Sequence, residues 1–265
     1  MKKITVLILF IASTIVSQTN TEVFLFDIKK TETGYELTNK KNISTNEGYD
    51  SQPHFYDNYA LLFASSRNGQ TDIVKYTIDT GIKEFINYSP EGGEYSPQRI
   101  PGTDDISAVR LDNTGLQRFY RYDINTGNSK EIIRNLEVAY PLWASNKLLF
   151  SAVIGEKSLE LVKSDLKNKT NVLLEKKIGR SLHCIPGTNS ISFISKKKPL
   201  WEIFSIDITT LTINKITNLD DNYEDIAWIS KDVVLQAKKN QLLQFNIKTD
   251  SVWKELINKD SLQIQ

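Results

Sequence analysis

The 265 residues carry 33 Lys plus Arg against 32 Asp plus Glu, a formal net charge of +1, with 40% apolar residues. Balanced charge supplies no long-range field to gather nucleic acid or an anionic membrane, and the longest basic run is only Lys196-Lys197-Lys198. The apolar share allows one large buried core. The lone Cys184 excludes an intrachain disulfide, so a disulfide-stapled mini-domain is ruled out.

At the start of the chain, Lys2 and Lys3 precede an apolar run from Ile4 to Val16, and small or polar residues follow at Ser17-Gln18. That layout is a secretory signal peptide spanning 1–17, too short for a comfortable membrane span. No Cys follows it, so a lipoprotein-type anchor is not expected. The remainder, 18–265, is expected to be one exported domain, periplasmic or secreted, monomeric, and without a membrane span after cleavage.

A short element then recurs along the chain: FDIKKT at Phe26, YTIDTG at Tyr76, YDINTG at Tyr122, SDLKNK at Ser164, IDITTL at Ile206 and FNIKTD at Phe245. The central residues Ile28, Ile78, Ile124, Leu166, Ile208 and Ile247 are about 40 to 50 residues apart, the period of a four-stranded propeller blade. Within the second copy the strands read SQPHFY, ALLFASS, DIVKYTI and KEFINYS, separated by RNGQ and DTG turns whose Asn, Gly and Asp tolerate positive φ. Copies three to six repeat the pattern, and no stretch of ten residues has helical periodicity. The expectation is an all-β, six-bladed β-propeller of four-stranded antiparallel blades. The first copy supplies only EVFLFDI and YELTNKK, so the closing blade is built from these N-terminal strands with the C-terminal tail SLQIQ, 261–265.

The stretch Gly48 to Gly81, GYDSQPHFYDNYALLFASSRNGQTDIVKYTIDTG, resembles the TolB-type β-propeller repeat. Pro53, Phe55, Phe63, Ser65, Arg67, Gly69, Asp72 and Ile73 occupy its signature places; the usual Ser-Pro-Asp-Gly turn is degenerate at Tyr56-Asp57-Asn58, and later blades keep mostly the pattern. The resemblance implies the fold and leaves function open, because this scaffold hosts many roles. TolB itself joins such a propeller to an N-terminal α/β domain, for which there is no expected room after Gln18. Prolyl-oligopeptidase-like enzymes join one to an α/β-hydrolase domain, whose Gly-x-Ser-x-Gly elbow is missing here.

Superposing the copies puts Asp50, Glu94, Val138, Arg180 and Tyr223 at the starts of innermost strands, ringing one mouth of the central channel. His54 and His183 fall in equivalent first strands near the axis. The candidate ligand-binding set is therefore Asp50, Glu94, Arg180, His183, Tyr223 and His54. Two histidines and one cysteine make a metal centre difficult, so no metal, cofactor or catalytic residue is assigned. Cys184 and His183 are adjacent on a strand and point to opposite faces, which argues against a nucleophile pair. The acids Asp72, Asp123, Asp165 and Asp207 read as turn caps. Trp143 and Trp228 align with Phe55 as inward aromatics packing between blades, while Trp201 stands where it could be exposed. Together these features favour a non-enzymatic exported binding module that takes an envelope protein or peptide through the propeller face and funnel. The alternative is an enzyme (lyase, lactonase or hydrolase) or a small-molecule or glycan binder at the channel mouth.

Overall fold

The computed structural model describes residues 20–258 except 33, 90, 91 and 240. The apolar run at 4–16 and the tail 261–265 lie outside the described residues. Among these residues there is no helix; twenty-one strands pair antiparallel throughout.

The first unit is the hairpin β1 (Phe24–Lys30) with β2 (Tyr35–Asn42). The second is the sheet β3 (Asp50–Phe55), β4 (Ala60–Arg67), β5 (Gln70–Thr77), β6 (Lys83–Phe85), and the third is β7 (Gly92–Arg99), β8 (Ile106–Asp112), β9 (Gln117–Tyr122), β10 (Ser129–Ile133). The fourth comprises β11 (Val138–Ser145), β12 (Leu148–Ile154), β13 (Leu159–Asp165) and the first half of β14 (Thr170–Cys184). The second half of β14 opens the fifth unit and continues through β15 (Ser190–Ser195), β16 (Glu202–Asp207) and β17 (Ile213–Asn218). The sixth is β18 (Ile226–Trp228), β19 (Val233–Lys238), β20 (Gln241–Asn246) and β21 (Lys254–Asn258). Copies two to six thus hold the four strands that the repeat predicts. β14 is a departure: one strand closes a unit at Ile178 and starts the next without a loop, fusing two units into a seven-stranded sheet.

Apolar residues are buried between units. Leu62 and Ile73 of the second unit pack with Ile106, Ala108 and Tyr122 of the third. Phe119 joins Val138, Trp143 and Leu149 across the next boundary, Phe150 joins Ile178 and Phe193, and Ile194 joins Val234 and Phe245. Each sheet therefore presents apolar residues on both faces, which is why β4 and β12 read as nearly continuous apolar runs rather than alternating ones. Trp143 Nε1 donates to Ser107 Oγ across one boundary at 2.8 Å, and Trp228 Nε1 donates to Ser192 Oγ across another at 2.8 Å. Phe55 differs from its aligned tryptophans: it is 59% exposed, because the unit before it contributes only β1 and β2 among the described residues. Trp201 is half-buried, with the Lys196 ammonium over its ring.

Turn chemistry fixes the repeat. Asp123 Oδ1 accepts from the amides of Asn125 and Thr126 at 3.0 and 2.8 Å, and Asp165 and Asp207 hold the corresponding amides of their own turns. Asp72 does not belong to this series. It is wholly buried in β5 and accepts from Arg67 Nε at 3.1 Å and Gln70 Nε2 at 2.8 Å. The position equivalent to Asp123 in the second unit is Thr77, whose carbonyl receives Gly81 N at 2.8 Å as that of Asp123 receives Gly127 N at 2.9 Å.

Candidate functional site at the inner strands

The first strands of units two to six converge. Ser96 N donates to Gln52 Oε1 at 2.7 Å, joining β7 to β3, and Gln98 Nε2 donates to the Pro141 carbonyl at 2.7 Å, joining β7 to β11. Cys184 Sγ reaches the Trp143 carbonyl at 3.7 Å, and Ile226 N donates to Ser181 Oγ at 3.2 Å. Side chains thus stitch five inner strands that share no backbone ladder. They surround a cavity of about 1000 Å³ lined by residues of all five.

Backbone irregularity shapes this lining. Register shifts break the pairing of β3 between Ser51 and His54 and of β7 between Tyr95 and Gln98. Gln52 and Ser96 sit at φ of 57° and 50° at these points, each just before a proline, Pro53 or Pro97. Bulges of this kind re-aim side chains and increase local twist. With Pro141 they give the cavity a rigid, donor-poor wall.

Of the six residues singled out from the sequence, His54, Arg180 and His183 line this cavity. Burial pushes the His183 imidazole down to about 4, and burial together with the neighbouring His183 does the same to His54, so both are neutral at pH 7. His183 Nε2 lies 3.4 Å from Ser181 Oγ. The Arg180 guanidinium is held bidentately by Asp225, Nε to Oδ1 at 2.9 Å and Nη2 to Oδ2 at 2.7 Å, and its backbone N–H donates to Glu224 Oε2 at 2.9 Å. Asp225, which the sequence reading missed, therefore sets Arg180's geometry; no local pattern links residues so far apart in the chain.

Asp50 and Glu94 are not in the cavity wall. They are 1% and 0% exposed, enclosed at the inner ends of β3 and β7. Glu94 Oε1 accepts from Arg110 Nε at 3.0 Å and from the Tyr122 hydroxyl at 2.9 Å. Tyr223 also lies outside it; its carbonyl accepts from Gln236 Nε2 at 2.8 Å. Cys184 lines the cavity from β14 with an exposed side chain, and partial desolvation by the cavity wall raises its thiol above the ordinary value, so it is poorly ionised at neutral pH. Among the described residues no three His, Cys, Asp or Glu side chains converge as a metal-holding group.

This arrangement of radially stacked antiparallel sheets around a central cavity is that of a β-propeller. The fold is TolB-like: TolB from Acinetobacter baumannii superposes with a TM-score of 0.61 at 15% identity, and putative TolB from Agrobacterium tumefaciens with 0.65 at 13%. These matches cover 84% and 83% of the chain, and the chain spans 60% and 84% of those two proteins. An oligogalacturonate lyase in complex with manganese superposes with a TM-score of 0.62 at 12% identity, over 92% of this chain and 87% of that one. Sequence comparison finds no matching family and no matching curated protein. At such identities the likeness concerns the fold.

Proposed function

We propose that the chain is an exported, non-enzymatic binding module that takes a protein or peptide segment in the central cavity and on the surrounding propeller face. The observation carrying this reading is the lining of the 1000 Å³ cavity: prolines, Tyr140, Trp143, Trp228 and two uncharged histidines, with Arg180 already neutralised by Asp225. Such a wall offers apolar contact and a few fixed polar groups, which suit a polypeptide segment. The base beside a hydroxyl in this wall is His183, 3.4 Å from Ser181 Oγ, and that hydroxyl is already engaged by the Ile226 amide at 3.2 Å. In the same reading the propeller has six blades, the sixth-to-first closure being made by β1, β2 and the segment 261–265. β2 lies against β21, the contact that closure requires. Export rests on the apolar run at 4–16 behind Lys2 and Lys3.

The lyase-like shape carries a second reading, a glycan site, because His54 and His183 face one cavity and His183 adds to the burial that disfavours charge on His54. A single experiment separates the two. Immobilised 18–265 is exposed to envelope extract, once with Cys184 free and once with Cys184 blocked by a bulky maleimide inside the cavity. The binding reading expects a discrete polypeptide retained only by the unblocked protein. Turnover of oligogalacturonate with added manganese, or a melting shift with the sugar and no polypeptide retained, sinks it.

A further inference from the structure

Four carboxylates among the described residues are buried: Asp50, Asp72, Glu94 and Glu202. Three have a cation in contact. Arg67 meets Asp72 at 3.1 Å, Arg110 meets Glu94 at 3.0 Å, and Lys198 and Lys215 meet Glu202 at 3.0 and 2.6 Å. Asp50 has none, and neither of its carboxylate oxygens has a hydrogen-bond partner although the residue is 1% exposed. The comparison with Glu94 is direct, since each lies two residues before the bulged residue of its inner strand, Gln52 or Ser96. Glu94 pairs in register with Arg110, whereas Asp50 pairs with Ser65, too short and uncharged to replace a guanidinium.

Ser65 faces Asp50 across the β3–β4 pair, and Thr21, the residue before Glu22, takes the Asp50 amide at 3.1 Å. The Glu22 carboxylate is close enough to oppose ionisation of Asp50, and one of its oxygens is tied to Ser44 Oγ. Ser65 and Asn46 stand beside Asp50 without reaching hydrogen-bond geometry. Asn46 Nδ2 donates to the Ser66 carbonyl at 2.8 Å. Lys83 acts on Asp50 only from a distance; its ammonium is committed to the Ser44 carbonyl and to Thr45 Oγ1. A buried carboxylate left without any partner costs several kcal/mol. Two carboxylates with neutral oxygens around them are the donor set of a hard divalent cation.

We propose that Asp50 and Glu22, supplemented by Ser65 and Asn46, form a calcium site. It fastens the segment before β1 onto the start of β3. That junction is otherwise held by Thr21 N to the Gly48 carbonyl at 2.9 Å, Asp50 N to Thr21 Oγ1 at 3.1 Å, and Gly48 N to Asn20 Oδ1 at 3.0 Å. With only two charged ligands the site belongs to the weak class of extracellular calcium modules, with Kd of roughly 10⁻⁴ to 10⁻³ M.

The test titrates calcium chloride into EGTA-stripped full chain by calorimetry, with melting followed in parallel and sodium chloride at matched ionic strength as control. The proposal expects saturable binding in that range and a calcium-dependent rise in Tm. Asp50→Asn should lose at least tenfold in affinity, and Glu22→Gln should weaken binding in the same direction. The order of stability should also invert: Asp50→Asn melts above the unsubstituted chain in EGTA and below it in 10 mM calcium. Absence of binding up to 10 mM calcium, or equal affinity in both variants, overturns the proposal. If Asp50→Asn does not fold, Glu22→Gln decides alone, and unchanged affinity there overturns it.

Discussion

His54 and His183 hold the two most acid-sensitive positions of the cavity, and their removal gives a quantitative check on it. Both imidazoles ordinarily titrate near 6.5 and here are pushed down to about 4. The unfolded chain therefore binds protons that the folded chain refuses between those values. Stability contributed by these groups is fully present above about pH 6.5 and is lost as pH falls towards 4. One pKa unit corresponds to about 1.4 kcal/mol, so lowering pH from 7 to 5 removes roughly 2 kcal/mol per histidine, about 4 kcal/mol together. For a domain of this size that is a fall in Tm of about 10 °C. Urea unfolding of the unsubstituted chain and of His54→Gln/His183→Gln, at pH 7 and pH 5, isolates the term. The double variant should show a pH 7-to-5 loss smaller by about 4 kcal/mol. An equal loss in both proteins, or imidazole NMR titrations with midpoints near 6.5, would refute the enclosed, neutral pair.

Other substitutions probe the framework. Arg110→Leu strips Glu94 of its cation while leaving it buried and should cost about 3 kcal/mol in urea unfolding, with Glu94→Gln in the same chain restoring much of it. Gly127→Ala should cost more than the ~1–2 kcal/mol typical of a left-handed residue: its φ is +70° and a Cβ would lie 2.5 Å from the Ile86 carbonyl oxygen. Cys184 should be alkylated by iodoacetamide more slowly at pH 7.5 in the folded chain than in urea, because partial desolvation keeps its exposed thiol protonated.

The repeat was legible because it is written in local chemistry. The Asp of Asp123-Ile-Asn-Thr-Gly bonds amides two and three residues on, so the turn is specified within five residues wherever it occurs. Asp72 shows the limit of that logic, since a carboxylate on a strand a few residues earlier resembles a turn cap until Arg67 and Asn87 are seen to enclose it. The cavity was legible only in part. His54, Arg180 and His183 were found by superposing copies, but Asp50 and Glu94 were expected at an open mouth and instead lie buried. The inner strands bulge at Gln52 and Ser96, so counting alternation from the strand start does not carry the facing of one end to the other. Partnerships such as Arg180 with Asp225 join separate units and leave no trace in sequence spacing. Phe55 occupies the tryptophan position of other units yet is exposed, an outcome fixed by what lies beside its unit rather than by its own strand.

Because Cys184 is the only cysteine and faces the cavity, it allows the most direct test of binding there. A benzophenone maleimide is attached to Cys184, and in a control chain, Cys184→Ser/Val172→Cys, to the exposed outer position on β14. Irradiation in envelope extract should crosslink one discrete polypeptide from Cys184 and not from position 172. Crosslinking of the same products from both positions, or none from Cys184 under conditions where the unlabelled chain retains a partner, would contradict recognition through the central cavity.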